Sequence, residues 1–140
     1  MGMKVLLMAL PALAMVMSLA GADDQQLKPD RFFVENVWAK VGELSCLECH
    51  REGGEAEESS FILRQTIPLQ GSSLTKATLD NYSAFRKMAR QRKDGKPPKL
   101  LRKPIGEMDH EGEQVLEPKS TGHLLLEKFV RNLSVEKKPD

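Results

Sequence analysis

Apolar and polar positions divide the chain into stretches with different periods. Val5 to Leu19 is almost wholly apolar, follows a single positive charge at Lys4, and runs into Ala20-Gly21-Ala22, a small-x-small peptidase site. The pattern predicts a signal peptide over 1–22 and a mature chain over 23–140. From Pro29 to Cys49 the period becomes helical. Phe33, Val37, Val41 and Leu44 follow one another at steps of four, four and three, Val34, Trp38 and Cys49 widen the stripe, and Pro29 or Asp30 starts it.

Arg51 to Ser60 lacks such a period and reads as a loop, its Glu55, Glu57 and Glu58 a solvated rim. Phe61-Ile62-Leu63 and Ile67-Pro68-Leu69 read as two short apolar walls. Helical spacing returns from Thr78 to Arg90, with Leu79, Tyr82, Phe85, Met88 and Ala89 on one face and Thr78 or Asp80 as cap. Met88 is read as core. The Lys-, Gly- and Pro-rich stretch Gln91 to Pro104 ends that helix. Ser120 or Thr121 then caps a last helix to about Leu133, whose Leu125, Phe129 and Leu133, with Leu126 and Val130 adjoining, should pack against the Phe33–Leu44 stripe. The expectation is an all-α domain with its N- and C-terminal helices in contact.

Composition narrows the function. The 21 Lys+Arg and 20 Asp+Glu balance almost fully, and the leader would remove one cation, leaving 20 against 20. Neutrality argues against general nucleic-acid binding, which calls for a basic surface. The charge is nevertheless segregated. Arg86, Lys87, Arg90, Arg92, Lys93, Lys96, Lys99, Arg102 and Lys103 form one block opposed only by Asp94, whereas Glu43, Glu48, Glu52, Glu55, Glu57 and Glu58 face only Arg51. Such patches suit docking to protein redox partners. Once the leader is cleaved, no stable membrane insertion is expected, and the location is periplasmic or secreted.

The chemistry concentrates in Cys46-Leu47-Glu48-Cys49-His50. In an exported chain, C-x-x-C-H reads as the attachment site of one covalent haem c: Cys46 and Cys49 form the thioethers and His50 is the proximal iron ligand. Two intervening residues set the sulfurs one helical turn apart and bring the imidazole under the metal in the same turn. A structural zinc site would need four ligands. The other axial position calls for histidine or methionine, and five of the seven methionines lie in the leader. His110 is the expected distal ligand and Met108 the alternative; two residues apart in an extended segment, they face opposite ways. His123 is read as exposed surface, Trp38 as core, with a haem propionate as the alternative partner of its indole nitrogen. Pro68 marks a candidate neighbourhood for the carbonyl that orients His50.

Helix, C-x-x-C-H, connecting helix, ligand loop and closing helix together resemble a monohaem cytochrome c domain over roughly Phe33 to Leu133. More narrowly, Val37-Trp38-Ala39-Lys40-Val41, Ala84-Phe85, Leu100-Leu101, Asp109-His110-Glu111-Gly112 and Phe129-Val130 look like the c-type domains of secreted planctomycete-type proteins. In those, a histidine followed by glycines often stands where His110 does. Relative to mitochondrial-type cytochromes, Trp38 and Gly42 occupy the glycine and aromatic positions in reverse order, and Met108 precedes Asp109 rather than proline. The resemblance implies a single-electron carrier rather than an enzyme. Two other classes stay open: a haem-based sensor or enzyme subunit with a displaceable sixth ligand, and a haem-free module held by a Cys46–Cys49 disulfide.

Overall fold

The computed structural model describes residues 28–110 and 113–135, so the leader expected at 1–22 lies outside the described residues, as do Glu111 and Gly112. Four helices follow in order: α1 (Phe33–Cys46), α2 (Gly71–Arg90), α3 (Lys99–Arg102) and α4 (Thr121–Val135), with no strand among the described residues. The first and last helices touch, and α2 and α3 complete the core around them. None of the described helices is long and apolar enough to cross a membrane.

Asp30 starts the first helix as expected: its carboxylate accepts the Phe33 N–H at 2.6 Å and its carbonyl the Val34 N–H at 3.2 Å. From Phe33 onward the winding widens to the π form, closing with a Leu47 N–H to Gly42 carbonyl bond of 2.8 Å. The buried positions Phe33, Val37, Trp38, Val41, Gly42 and Cys46 recur at the pace of a turn of about 4.4 residues rather than about 3.6. Leu44 lies three ordinary turns beyond Phe33 but two and a half wide ones. It therefore points away from the core and is 74% exposed, which corrects its expected place on the stripe; Val34 is likewise exposed. Cys46, three wide turns beyond Phe33, comes onto the buried face instead.

Phe33 is the hub of that face, with ring centroids 4.9 Å from Tyr82, 5.5 Å from Phe85 and 5.6 Å from Phe129. Gly42 lets α1 approach: a Cβ there would lie 2.5 Å from the Trp38 ring and 3.2 Å from Phe85. The indole N–H of Trp38 donates to Thr66 Oγ1 at 3.0 Å in the core, so Thr66, not a propionate, is its partner.

Helix α2 begins at Gly71, not at Thr78 or Asp80. Thr78 sits mid-helix with its hydroxyl on the Leu74 carbonyl, and Asp80 pairs with Arg64 and Lys76. Burial of Ala77 and Asn81 on its inner face extends the helix past the weak apolar signal of its first turns. Asn81 is fully buried and clasps the Arg64 backbone, accepting its N–H at 2.7 Å and donating to its carbonyl at 2.8 Å. This clasp holds the Phe61–Leu63 wall against α2. Asn81→Ala leaves both Arg64 groups without that partner and should cost roughly 2–3 kcal/mol, read as a lower urea midpoint at unchanged slope. The second wall does not form: Ile67 is 63% exposed, and Pro68 and Leu69 are exposed too. Ser120 caps α4 as expected, accepting the His123 N–H at 3.3 Å, and Phe129, Leu126 and Val130 enter the core while Leu125 and Leu133 pack at its margin.

Candidate functional site

The wide last turn of α1 delivers Cys46 into the protein, 8% exposed, while Cys49 sits one turn on at the surface side. His50 continues the turn, its N–H on the Cys46 carbonyl at 3.0 Å and its carbonyl accepting the Leu63 N–H at 2.7 Å. The loop after it folds back tightly. Ala56 N–H bonds the Cys49 carbonyl at 3.0 Å, and Gly54 approaches that carbonyl so closely that a Cβ would collide with it. The pentad is thus fixed from both sides.

A cavity of about 300 Å³ opens beside it, lined by Cys46, His50, Phe61, Met88, Leu100 and His110 among others. An open cleft with Cys49, Glu55 and Asp109 adjoins it; Ser45, His50, Ser59, Lys103 and His110 line both. Cys46 thus lines the cavity and Cys49 the cleft, and His50 and His110 border both. Met88 is core, as expected, and also cavity wall.

The His50 and His110 rings lie 5.9 Å apart, centroid to centroid, with their planes within 23° of parallel. Each ring is oriented through Nδ1. His50 Nδ1 meets Ser59 Oγ at 3.2 Å, and that hydroxyl in turn donates to the Phe61 carbonyl at 3.2 Å. His110 Nδ1 donates to the Glu113 carbonyl at 2.9 Å. Among the described residues, Nε2 of neither ring has a hydrogen-bond partner. A donor on Nδ1 with Nε2 left over is the tautomer in which an imidazole takes a metal through Nε2. Burial, and after it the neighbouring His110 and then Lys103, push His50 below its ordinary pKa against the Phe61 carbonyl, favouring the neutral ring.

The orienting group for His50 was expected near Pro68. It comes from the first wall instead, through Ser59 and Phe61, because Leu63 rather than Leu69 pairs with the His50 backbone. Of the two distal candidates, His110 lines the cavity and Met108 does not: it is half-buried in a shallow depression with Gly106, Glu107 and Gln114 that His110 also borders. His123, expected at the surface, is 6% exposed. Its Nδ1 accepts the Lys119 N–H at 3.2 Å, and its Nε2 reaches the Leu101 carbonyl at 3.2 Å, tying α4 to α3. Nothing in its sequence neighbourhood signals a partner 22 residues away.

Both cysteines are free thiols. Burial, with the neighbouring Cys49, pushes the Cys46 thiol up to about 12, and Cys49 is raised by burial and then by Glu55 and Glu48. A dithiol that exchanges disulfides needs the opposite shift, toward thiolate. No cluster of three metal-ligating His, Cys, Asp or Glu side chains occurs among the described residues. The residues fit a haem c: two sulfurs one turn apart, two neighbouring imidazoles each engaged at Nδ1, and an apolar wall of Phe61, Met88, Leu100, Val115 and Leu126. Comparison with family models, curated proteins and solved structures finds no match for this chain.

Proposed function

We propose that this chain is an exported monohaem c-type cytochrome with a cytochrome c-like fold, carrying single electrons between protein partners, its iron held by His50 and His110. The observation that carries this reading is the near-parallel pair of imidazoles, each tied at Nδ1, lining a cavity with Cys46, with Cys49 on the adjoining cleft. Bound haem would supply a one-electron iron(III)/iron(II) couple.

The chain's own contribution is attachment, orientation and environment. Cys46 and Cys49 would hold the group, each thiol adding its S–H across one vinyl substituent, sulfur to one carbon and hydrogen to the other, with nothing leaving and no change of oxidation state. The Ser59–Phe61 relay holds His50 in one tautomer, and the Glu113 carbonyl does the same for His110. Phe61, Met88, Leu100 and Leu126 keep water from the inner part of the cavity. Fixed ligands and a dry wall leave little to rearrange when the charge on the metal changes. The basic block over 86–103 and the acidic one over 43–58 give a docking partner opposite fields to read, so association should slow with added salt.

The test is the mass of protein exported by a host with c-type maturation machinery. A gain of one whole haem, abolished by replacing Cys46 and Cys49 with serine, is the expected result. Two unmodified thiols in matured material would overturn the proposal and favour the haem-free module.

A further inference from the structure

Lys99 and Lys103 stand one turn apart on and just after α3, the Lys103 N–H bonding the Lys99 carbonyl at 3.0 Å. Both are half-buried and both line the cavity with His50 and His110. Two like charges at this spacing repel each other, and partial burial removes part of the water that would screen them. Yet neither lysine has an ion-pair partner among the described residues. Their neighbour Arg102 pairs with Glu107 at 3.3 Å, and Lys76 and Lys119 pair with Asp80 and Glu127. Glu55, Glu58 and Asp109 line the cleft that Lys103 also borders, none at ion-pair distance from it.

The segment is not loose enough to turn the lysines outward at will. Leu100 between them is buried, the Lys99 N–H bonds the Gln91 carbonyl at 3.0 Å, and His123 reaches the Leu101 carbonyl. The backbone on both sides thus keeps Lys99 and Lys103 in the cavity lining, and a lysine so placed can lay its apolar stem along the wall and hold its ammonium at the edge.

We propose that Lys99 and Lys103 form a two-point anion clamp for a ligand bearing two carboxylates on an apolar body, namely the paired propionates of a haem; this rests on the haem reading above. One ammonium answers each carboxylate, which turns a repulsive pair into two charge-assisted contacts. A cationic clamp also stabilises the more electron-rich state of the metal, so the same two residues raise the reduction potential.

The experiment is a redox titration of haem-loaded protein, with haem content measured by absorbance per protein mass. In Lys99→Gln/Lys103→Gln, the oxidised-to-reduced ratio at the wild-type midpoint should rise roughly tenfold, equivalent to about 59 mV for one electron. Lys99→Arg/Lys103→Arg, which keeps both charges, should stay within about twofold of wild type, as should the exposed control Lys96→Gln. A ratio unchanged in the double glutamine variant, or shifted equally by Lys96→Gln, overturns the clamp. If the double variant fails to mature, the single glutamine variants decide by the same ratio, at about threefold each. Lysines that serve only a protein partner would alter association rates and leave the potential in place, also overturning it. Wild-type protein without haem would instead sink the parent reading.

Discussion

His110→Met in the haem-loaded protein should bring up a weak absorption band at about 695 nm and raise the reduction potential by on the order of 0.1 V, within the roughly 0.8 V that axial ligation spans. Met108→Leu should change neither. His110 lines the cavity beside His50 with ring planes 23° apart, whereas Met108 lines only the neighbouring depression that His110 also borders. Methionine stabilises the reduced metal relative to imidazole, which sets the sign. His110→Ala should leave the sixth position to water or an added ligand, read as a high-spin ferric spectrum. A 695 nm band in the wild type, lost on Met108→Leu, would assign the ligand to Met108. A wild-type spectrum indifferent to both substitutions would favour a sensor with a displaceable sixth ligand.

Phe85→Ala should destabilise the domain by about 3–5 kcal/mol, a large part of the roughly 5–15 kcal/mol available to a domain of this size. Phe85 is fully buried, edge-on to Phe33 at 5.5 Å and Phe61 at 5.1 Å, and faces the missing Cβ of Gly42. Its loss opens a cavity where α1, α2 and the apolar wall meet. Phe61 in turn packs on His50 at 5.0 Å and provides the carbonyl that completes its orienting relay, so the damage should reach the site. Urea denaturation gives the stability change, and binding of an added axial ligand to the ferric protein should become faster. Leu44→Ala is the matching control. The expected periodicity places it in the core, but the wide helix turns it to solvent, and its cost should fall within about 0.5 kcal/mol. A loss at Leu44 as large as that at Phe85 would contradict the π winding.

Two of the helix starts are legible from near neighbours in the chain. Asp30 and Ser120 cap their helices because a cap is a contact between residues three apart. Phe33, Val37 and Val41 are core because the ordinary and the wide helical period both keep them on one face, and Phe85 and Phe129 because each lies on the apolar stripe of an ordinary helix. Leu44 departs from the stripe through the wide winding of its own helix, and elsewhere a distant partner decides. Asn81 and Thr66 are polar residues that sequence reasoning passed over; each is buried because a group 17 or 28 residues away satisfies it. His123 was assigned to the surface for the same reason. The start of α2 was missed because Ala77 and Asn81 are weak apolar signals that gain their burial only from what packs on them.

By itself, the sequence determined the all-helical character, the contact between terminal helices and the candidate chemistry at Cys46, Cys49 and His50, since each rests on residue types at short fixed spacing. Only the tertiary structure decided that His110 rather than Met108 faces His50, that Ser59 and Phe61 orient His50, and that Lys99 and Lys103 edge the same cavity. The pentad and the segment over 99–110 are some fifty residues apart in the chain, and no local period carries information across that distance. Their meeting is set by α1 packing on α4 and by His123 tying α4 to α3, through side-chain volumes and buried hydrogen bonds that exist only once the chain has folded.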